Sequence, residues 1–199
     1  MKHLKSYKIF ENIQTDEEIH GLCRKYEISN YTINEDKSVD VDGDVDLYNK
    51  GLSKLPLNFR HVKGDFSCSY NNYNLTTLDG APETVGGDFY CGGNNLKTLE
   101  GSPRRVDGDF NCTWNNKLMS LEGISTIHGD LYCNYTTVYY FWDNFLNRDK
   151  SLIDSFVEEW DVIHKDTVII EVLEGWMEDN NINREINIEK IKSLGYKIG

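Results

Sequence analysis

The chain has 199 residues, 39% of them hydrophobic and 27% charged, so it holds material for a core but no stretch long or apolar enough to span a membrane. Its 33 acidic against 21 basic side chains leave a formal charge of −12, which repels a polyanion. Arg104-Arg105 and the Lys190 and Lys192 pair are the densest basic clusters, and both are small, so direct nucleic-acid binding is not expected. The basic start, Met1-Lys2-His3-Leu4-Lys5, lacks the apolar run of a secretion signal, and the expected location is cytoplasmic.

In chain order, Thr15-Asp16-Glu17-Glu18 comes first, a capping-box pattern that satisfies free donors at a helix start. Ile19, Leu22, Cys23 and Tyr26 recur at helical spacing behind it, which predicts a helix over about 15–27. Residues 28–34 and the alternation Val39-Asp40-Val41-Asp42, separated by a polar turn at Glu35-Asp36-Lys37, read as strands. Residues 1–42 are therefore expected to form a helix-plus-strand cap over an edge that would otherwise expose unpaired backbone. The stretch from Asp40 to Asp46 also imitates a calcium loop. With Gly43 as the sixth position, however, Ser38 stands first and Asn49 twelfth, where acidic ligands are needed. The valines favour a strand, with a cation site as the alternative.

From Gly43 the chain repeats one phrase: Gly43-Asp44-Val45, Gly64-Asp65-Phe66, Gly87-Asp88-Phe89, Gly108-Asp109-Phe110 and Gly129-Asp130-Leu131, the glycines spaced by 21, 23, 21 and 21 residues. A period in the twenties marks a solenoid, whose units bury their apolar faces only by stacking. Five units are expected over 43–142. In each, the residue after Asp and the one two places later point to one face of a short strand, because strand side chains alternate. That second column reads Leu47, Cys68, Cys91, Cys112, Cys133. A column that accepts Leu is a packing column, and the close Cys pairs of zinc sites are absent, so buried thiols are expected rather than a metal or disulfide. Asn71, Asn94 and Asn115 come next, in the turn, where they are expected to bond buried backbone groups. Pairs of leucines three apart and a later Val62, Val85, Val106 or Ile127 close the coil, with proline in the returning arm. Glycine before each Asp suggests a backbone angle that other residues avoid.

The last unit fades into Tyr139-Tyr140-Phe141-Trp142, read as an interface to the C-terminal segment, with an exposed binding patch as the alternative. Residues 143–199 are expected to form a helical cap or interaction subdomain. One helical face carries Leu152, Phe156, Val157, Trp160 and Ile163; another carries Ile169, Val172, Leu173, Trp176 and Met177; a third helix spans Ile188 to Leu194 and stops at Gly195.

The run Leu52-x-x-Leu55-Pro56-x-x-Phe59, with the recurring Gly-Asp-Phe-x-Cys followed by Asn and Leu, resembles the leucine-rich-repeat-like proteins encoded by tailed bacteriophages, over about residues 40–135. The resemblance implies an α/β repeat solenoid with parallel strands, and a protein-binding scaffold such as a phage factor that engages a host protein in the host cytoplasm.

The outward strand columns are where binding is expected: Asp44, Asp65, Asp88, Asp109 and Asp130; then Asp46, Ser67, Tyr90, Asn111 and Tyr132; then Tyr48, Ser69, Gly92, Thr113 and Asn134, with Trp114 and Tyr135 just beyond. From these, Asp65, Asp88, Tyr90, Asp109, Asn111, Trp114, Asp130, Tyr132 and Tyr135 are the candidate partner-binding residues. The aspartate column needs compensation for its like charges, from backbone amides at the turn or from a cation or basic partner. His3, His20, His61, His128 and His164 share no ligand spacing, and the glycines follow the structural period rather than a phosphate loop, so no catalytic residue, metal or cofactor is expected. The leading function is a non-enzymatic protein-binding module, an adaptor or inhibitor of a host protein. The alternatives are an acidic nucleic-acid mimic that blocks a DNA-acting enzyme, and an enzyme with a site in the C-terminal region.

Overall fold

The computed structural model describes residues 14–121, 123–124, 126–134, 136–139, 141, 162–164, 166–182 and 185–199. At the N-terminal end, helix α1 (Asp16–Lys25) begins as its sequence dictates: Thr15 Oγ1 accepts from the Glu18 amide (3.2 Å) and Glu18 Oε2 accepts from the Thr15 amide (2.7 Å). Ile19 and Cys23 are its buried face. Strand β1 (Tyr31–Ile33) then pairs antiparallel with β2 (Val39–Val41), so the outer side of β2 is covered by a partner strand.

The repeats form a parallel-stranded solenoid whose coils turn at each Gly-Asp. Before the corner lie β4 (Phe59–Val62), β6 (Thr84–Val85), β8 (Arg105–Val106) and β10 (Thr126–Ile127), which stack in parallel on β2. After it lie β3 (Val45–Asp46), β5 (Phe66–Ser67), β7 (Phe89–Tyr90), β9 (Phe110–Asn111) and β11 (Leu131–Tyr132), stacked in parallel as a second sheet. Val62, Val85, Val106 and Ile127, read from sequence only as anchors of a returning arm, are thus strand residues in register with one another. Between Glu27 and Thr136 no described residue is helical. A coil of about 21 residues that turns twice leaves no room for one.

Inside the coils, like residues stack on like. Phe66, Phe89 and Phe110 are fully buried, with ring centroids 5.6 and 5.1 Å apart, and Cys68, Cys91 and Cys112 lie beside them with no exposed area. Such columns let every coil bury the same apolar surface against its neighbour. The asparagines supply the polar counterpart. Asn94 Nδ2 donates to the carbonyls of Cys68 (2.9 Å) and Cys91 (3.0 Å), and its Oδ1 accepts from the Asn71 amide (3.0 Å). Asn115 bonds Cys91, Cys112 and the Leu96 amide in the same way. In the last coil Thr136 takes this place and donates to the Cys133 carbonyl (2.7 Å), which ends the ladder. The expected role of the asparagines is what the geometry shows.

The C-terminal part is mixed rather than purely helical. Helices α2 (Ile170–Asp179) and α3 (Ile188–Ser193) fall where periodicity put them, and Gly195 follows α3 at φ +94. Before them run β12 (Ile163–His164) and β13 (Thr167–Val168), and after them β14 (Lys197–Ile198), which together form a three-stranded sheet. The expected first helix, at Leu152, Phe156, Val157 and Trp160, lies outside the described residues, but its last position, Ile163, is in β12. The β-branched residues on either side of residues 164–166 favour pleated backbone, and β14 completes their pairing. Tyr196 joins this part to the solenoid: its hydroxyl donates to the Met119 carbonyl (2.6 Å) and its ring meets Phe141 at 5.4 Å.

Replacing Asn94 by Ala leaves the buried Asn71 amide without an acceptor and should cost about 3 kcal/mol in urea unfolding. The exposed Thr76→Ala serves as a control and should stay within about 0.5 kcal/mol. Equal effects from the two would contradict the ladder's role.

Candidate functional site

The outer face of the second sheet carries the sequence-predicted candidates, and its margin is the Gly-Asp corner. Oδ1 of Asp44 accepts from the Asp65 amide (2.9 Å), Asp65 from Asp88 (2.8 Å), Asp88 from Asp109 (2.7 Å) and Asp109 from Asp130 (2.7 Å). Each carboxylate therefore satisfies the backbone of the next coil, and the glycine amides and carbonyls stack beside it. This explains the dipeptide. A Cβ at Gly64, Gly87, Gly108 or Gly129 would overlap the Oδ1 of the preceding coil's Asp, so the residue before Asp65, Asp88, Asp109 and Asp130 must be glycine for space. The backbone angle invoked from sequence is not the reason at Gly64, Gly87, Gly108 and Gly129, which do not have positive φ, but it is at Gly43, where φ is +150 and an added Cβ would meet nothing within 4 Å.

The calcium-like stretch is consumed by other partners: Asp40 by Arg60 (2.6 Å), Asp42 by Lys63 (2.9 Å), Asp44 by the ladder and Asp46 by the Tyr48 amide (2.9 Å). Among the described residues no group of three or more His, Cys, Asp or Glu side chains is placed to hold a metal ion. The column of thiols is buried and free of disulfides, and desolvation pushes Cys68 and Cys133 from near 9 up to about 12 and Cys91 and Cys112 well up.

Charge differs between the two sheets. On the first, Arg60 pairs with Asp40, Lys63 with Asp42, and Arg105 and His128 both with Asp107. On the second, no described cation lies within ion-pair distance of Asp44, Asp65, Asp88 or Asp109. Carboxylates one strand spacing apart repel by about 1 kcal/mol even at the dielectric of water, and the amide donors of the ladder are what offsets this.

In the next column, the Tyr90 hydroxyl donates to Asp88 Oδ2 (2.5 Å), which with burial raises its pKa to about 12, and Asn111 Oδ1 accepts from the Thr113 amide and hydroxyl. Tyr132 is exposed, and Tyr135 lies outside the described residues. At the far margin the sixth residue after the corner glycine is left-handed in four coils: Asn49 at φ 54, Tyr70 at 56, Gly93 at 65 and Trp114 at 60. Asparagine and glycine adopt this conformation cheaply, whereas a bulky side chain costs about 1 kcal/mol or more. Tyr70 lies over Gly93, whose added Cβ would strike the ring, and it meets Tyr48 at 5.6 Å. Tyr48, Tyr70, Tyr73, Trp114 and Tyr132 are 41–53% exposed, whereas Phe59, Phe66, Phe89 and Phe110 are buried and Tyr90 is half-buried.

The sequence-based site residues Asp65, Asp88, Tyr90, Asp109, Asn111, Trp114, Asp130 and Tyr132 thus share one face. Tyr48, Tyr70 and Tyr73 were missed as site residues. The signal for Tyr73 was the longer 23-residue spacing, whose two extra residues are Asn72 and Tyr73, both at positive φ. Elsewhere, a cleft of about 970 Å³ opens where Lys97, Lys117 and Met119 face Asp166 and Lys197. Comparison with protein-family models, curated proteins and solved structures gives no match to the chain, so the face is read from its own geometry.

Two outcomes are expected. Asp109→Asn keeps an Oδ1 acceptor and should leave stability unchanged or higher, whereas Asp109→Ala should lower it by about 1 kcal/mol in urea unfolding; identical behaviour of the two would contradict the ladder. The thiols should resist a disulfide reagent at pH 8 in the native state. Because the folded chain holds the thiol protons more tightly than the unfolded one, their contribution is complete below about pH 9 and is lost as the pH climbs from 9 toward 12. Stability that rises over that window would contradict the buried thiols.

Proposed function

We propose that the chain is a non-enzymatic protein-binding module that presents the outer face of its second sheet to a partner. One observation carries this reading: bulky aromatic residues occupy left-handed corner positions and stay exposed there. At Tyr70 and Trp114 the aligned positions of other coils hold Asn49 and Gly93, whereas these two place a ring in left-handed backbone and leave it about two-fifths exposed. Strain of this kind gathers where a side chain serves binding, and tyrosine and tryptophan on a rigid face are the usual interface anchors.

In this reading the coil is a leucine-rich-repeat-like unit and the protein is a phage-encoded adaptor or inhibitor of a host protein, acting in the host cytoplasm. On this reading residues 1–42 and 143–199 are the two caps, a role supported within the described residues by the pairing of β1 on β2 and the packing of Tyr196 on Met119 and Phe141. The described residues contain no helix long and apolar enough to cross a membrane.

The test is a paired one. Tyr70→Asn with Trp114→Asn should hold or raise the melting temperature by relieving about 1 kcal/mol per residue. The same change should weaken retention of a specific bacterial protein at least about 30-fold. An unchanged set of retained proteins, with melting raised, would show that the rings do not bind a partner.

A further inference from the structure

Resting on the protein-binding reading, we infer that the partner docks through an extended, arginine- or lysine-rich segment laid along the solenoid axis between the aspartate column and the aromatic margin. The occupant follows from charge complementarity. The corner ladder uses one oxygen of each side chain, Oδ1, which an asparagine would supply equally well and without like-charge repulsion. The chain uses asparagine freely in its inner ladder, at Asn71, Asn94 and Asn115, yet all five corners are aspartate. Stacking accounts for the oxygen but not for the charge.

Apart from those amide donors, no described cation offsets the charge of Asp44, Asp65, Asp88 and Asp109. The first sheet pairs its aspartates with Arg60, Lys63, Arg105 and His128, whereas the second brings no described cation to Asp44, Asp65, Asp88 or Asp109. Among the described residues, no donor meets Oδ2 of Asp44, Asp65 or Asp109, while Asp88 Oδ2 takes the Tyr90 hydroxyl. Across the face, from Asp65 to Tyr70, the amides of Phe66, Cys68 and Tyr70 all pair with the next coil, so the backbone is extended between the two margins. Five residues at about 3.3 Å each set them about 16 Å apart. One extended chain fits that width, with cationic head groups at the carboxylates and its other side chains against the rings. Arginine and lysine suit both margins, because their stems and charges also pack on tyrosine and tryptophan faces.

Fluorescence anisotropy of labelled (Arg-Leu)₅, (Glu-Leu)₅ and (Gln-Leu)₅ peptides against the full chain at physiological salt tests this. The wild type should bind (Arg-Leu)₅ and not (Glu-Leu)₅. Asp65→Asn/Asp88→Asn/Asp109→Asn should weaken that binding at least about tenfold with no loss of melting temperature. The control Glu83→Gln/Glu100→Gln/Glu178→Gln, which removes the same charge elsewhere, should change it less than about twofold. Equal losses from the two triple variants, or no binding of (Arg-Leu)₅, would overturn the inference. Equal binding of (Gln-Leu)₅, abolished only by Tyr70→Asn/Trp114→Asn, would overturn it while leaving the protein-binding reading standing.

Discussion

Stacking one coil on the next requires that every buried amide and carbonyl at a turn find a partner in the neighbouring coil, and this constraint shapes the rest of the molecule. Water cannot reach the inner turns, so a missing partner there costs about 1–3 kcal/mol. Asn71, Asn94 and Asn115 meet the requirement inside, each bridging two coils through Nδ2 and accepting one amide through Oδ1. At the corner the aspartates do the same for the amide of the next Asp. Once those positions are fixed, the Phe and Cys columns fall into register and the apolar core forms around them.

The same constraint separates scaffold from surface. Glycine is required at Gly64 because a neighbouring carboxylate fills the space of its Cβ, and cysteine is accepted at Cys68 because the column takes small apolar side chains. By contrast, the corner that Asn49 and Gly93 fill without a ring carries one at Tyr70 and Trp114, and Asp65 bears a charge where its laddering oxygen needs none. These residues depart from what the fold alone needs, and they lie on the two margins of one face. The functional reading rests on that coincidence.

Much of the scaffold was legible before any coordinates. The period, the packed thiols, the inner asparagine ladder, the capping box at Thr15 and the helix around Trp176 all follow from residue type and spacing. The first sheet beyond β1 and β2 was not, because its strands are mostly two residues long with one inward Val or Ile per coil, too short to show alternation. The strands around Ile163 and Val168 were hidden for the same reason, and Ile163 also fitted a helical face. The left-handed margin was obscured by its aromatic residues. Asn49 and Gly93 announce such a position, while the aromatic residues aligned with them do not. The proposed binding face was legible as columns, but its strain and the unequal charge of the two sheets required atomic positions.

The central claim is that the corner aspartates stack the coils through Oδ1 and so hold a charged face in place. Native-state hydrogen exchange at the amides of Asp65, Asp88, Asp109 and Asp130 tests it most directly. The account predicts protection comparable to the strand amides of Phe66 and Phe89, although Asp65, Asp88 and Asp130 lie at an exposed margin. Exchange as fast as that of an unbonded surface turn would contradict it.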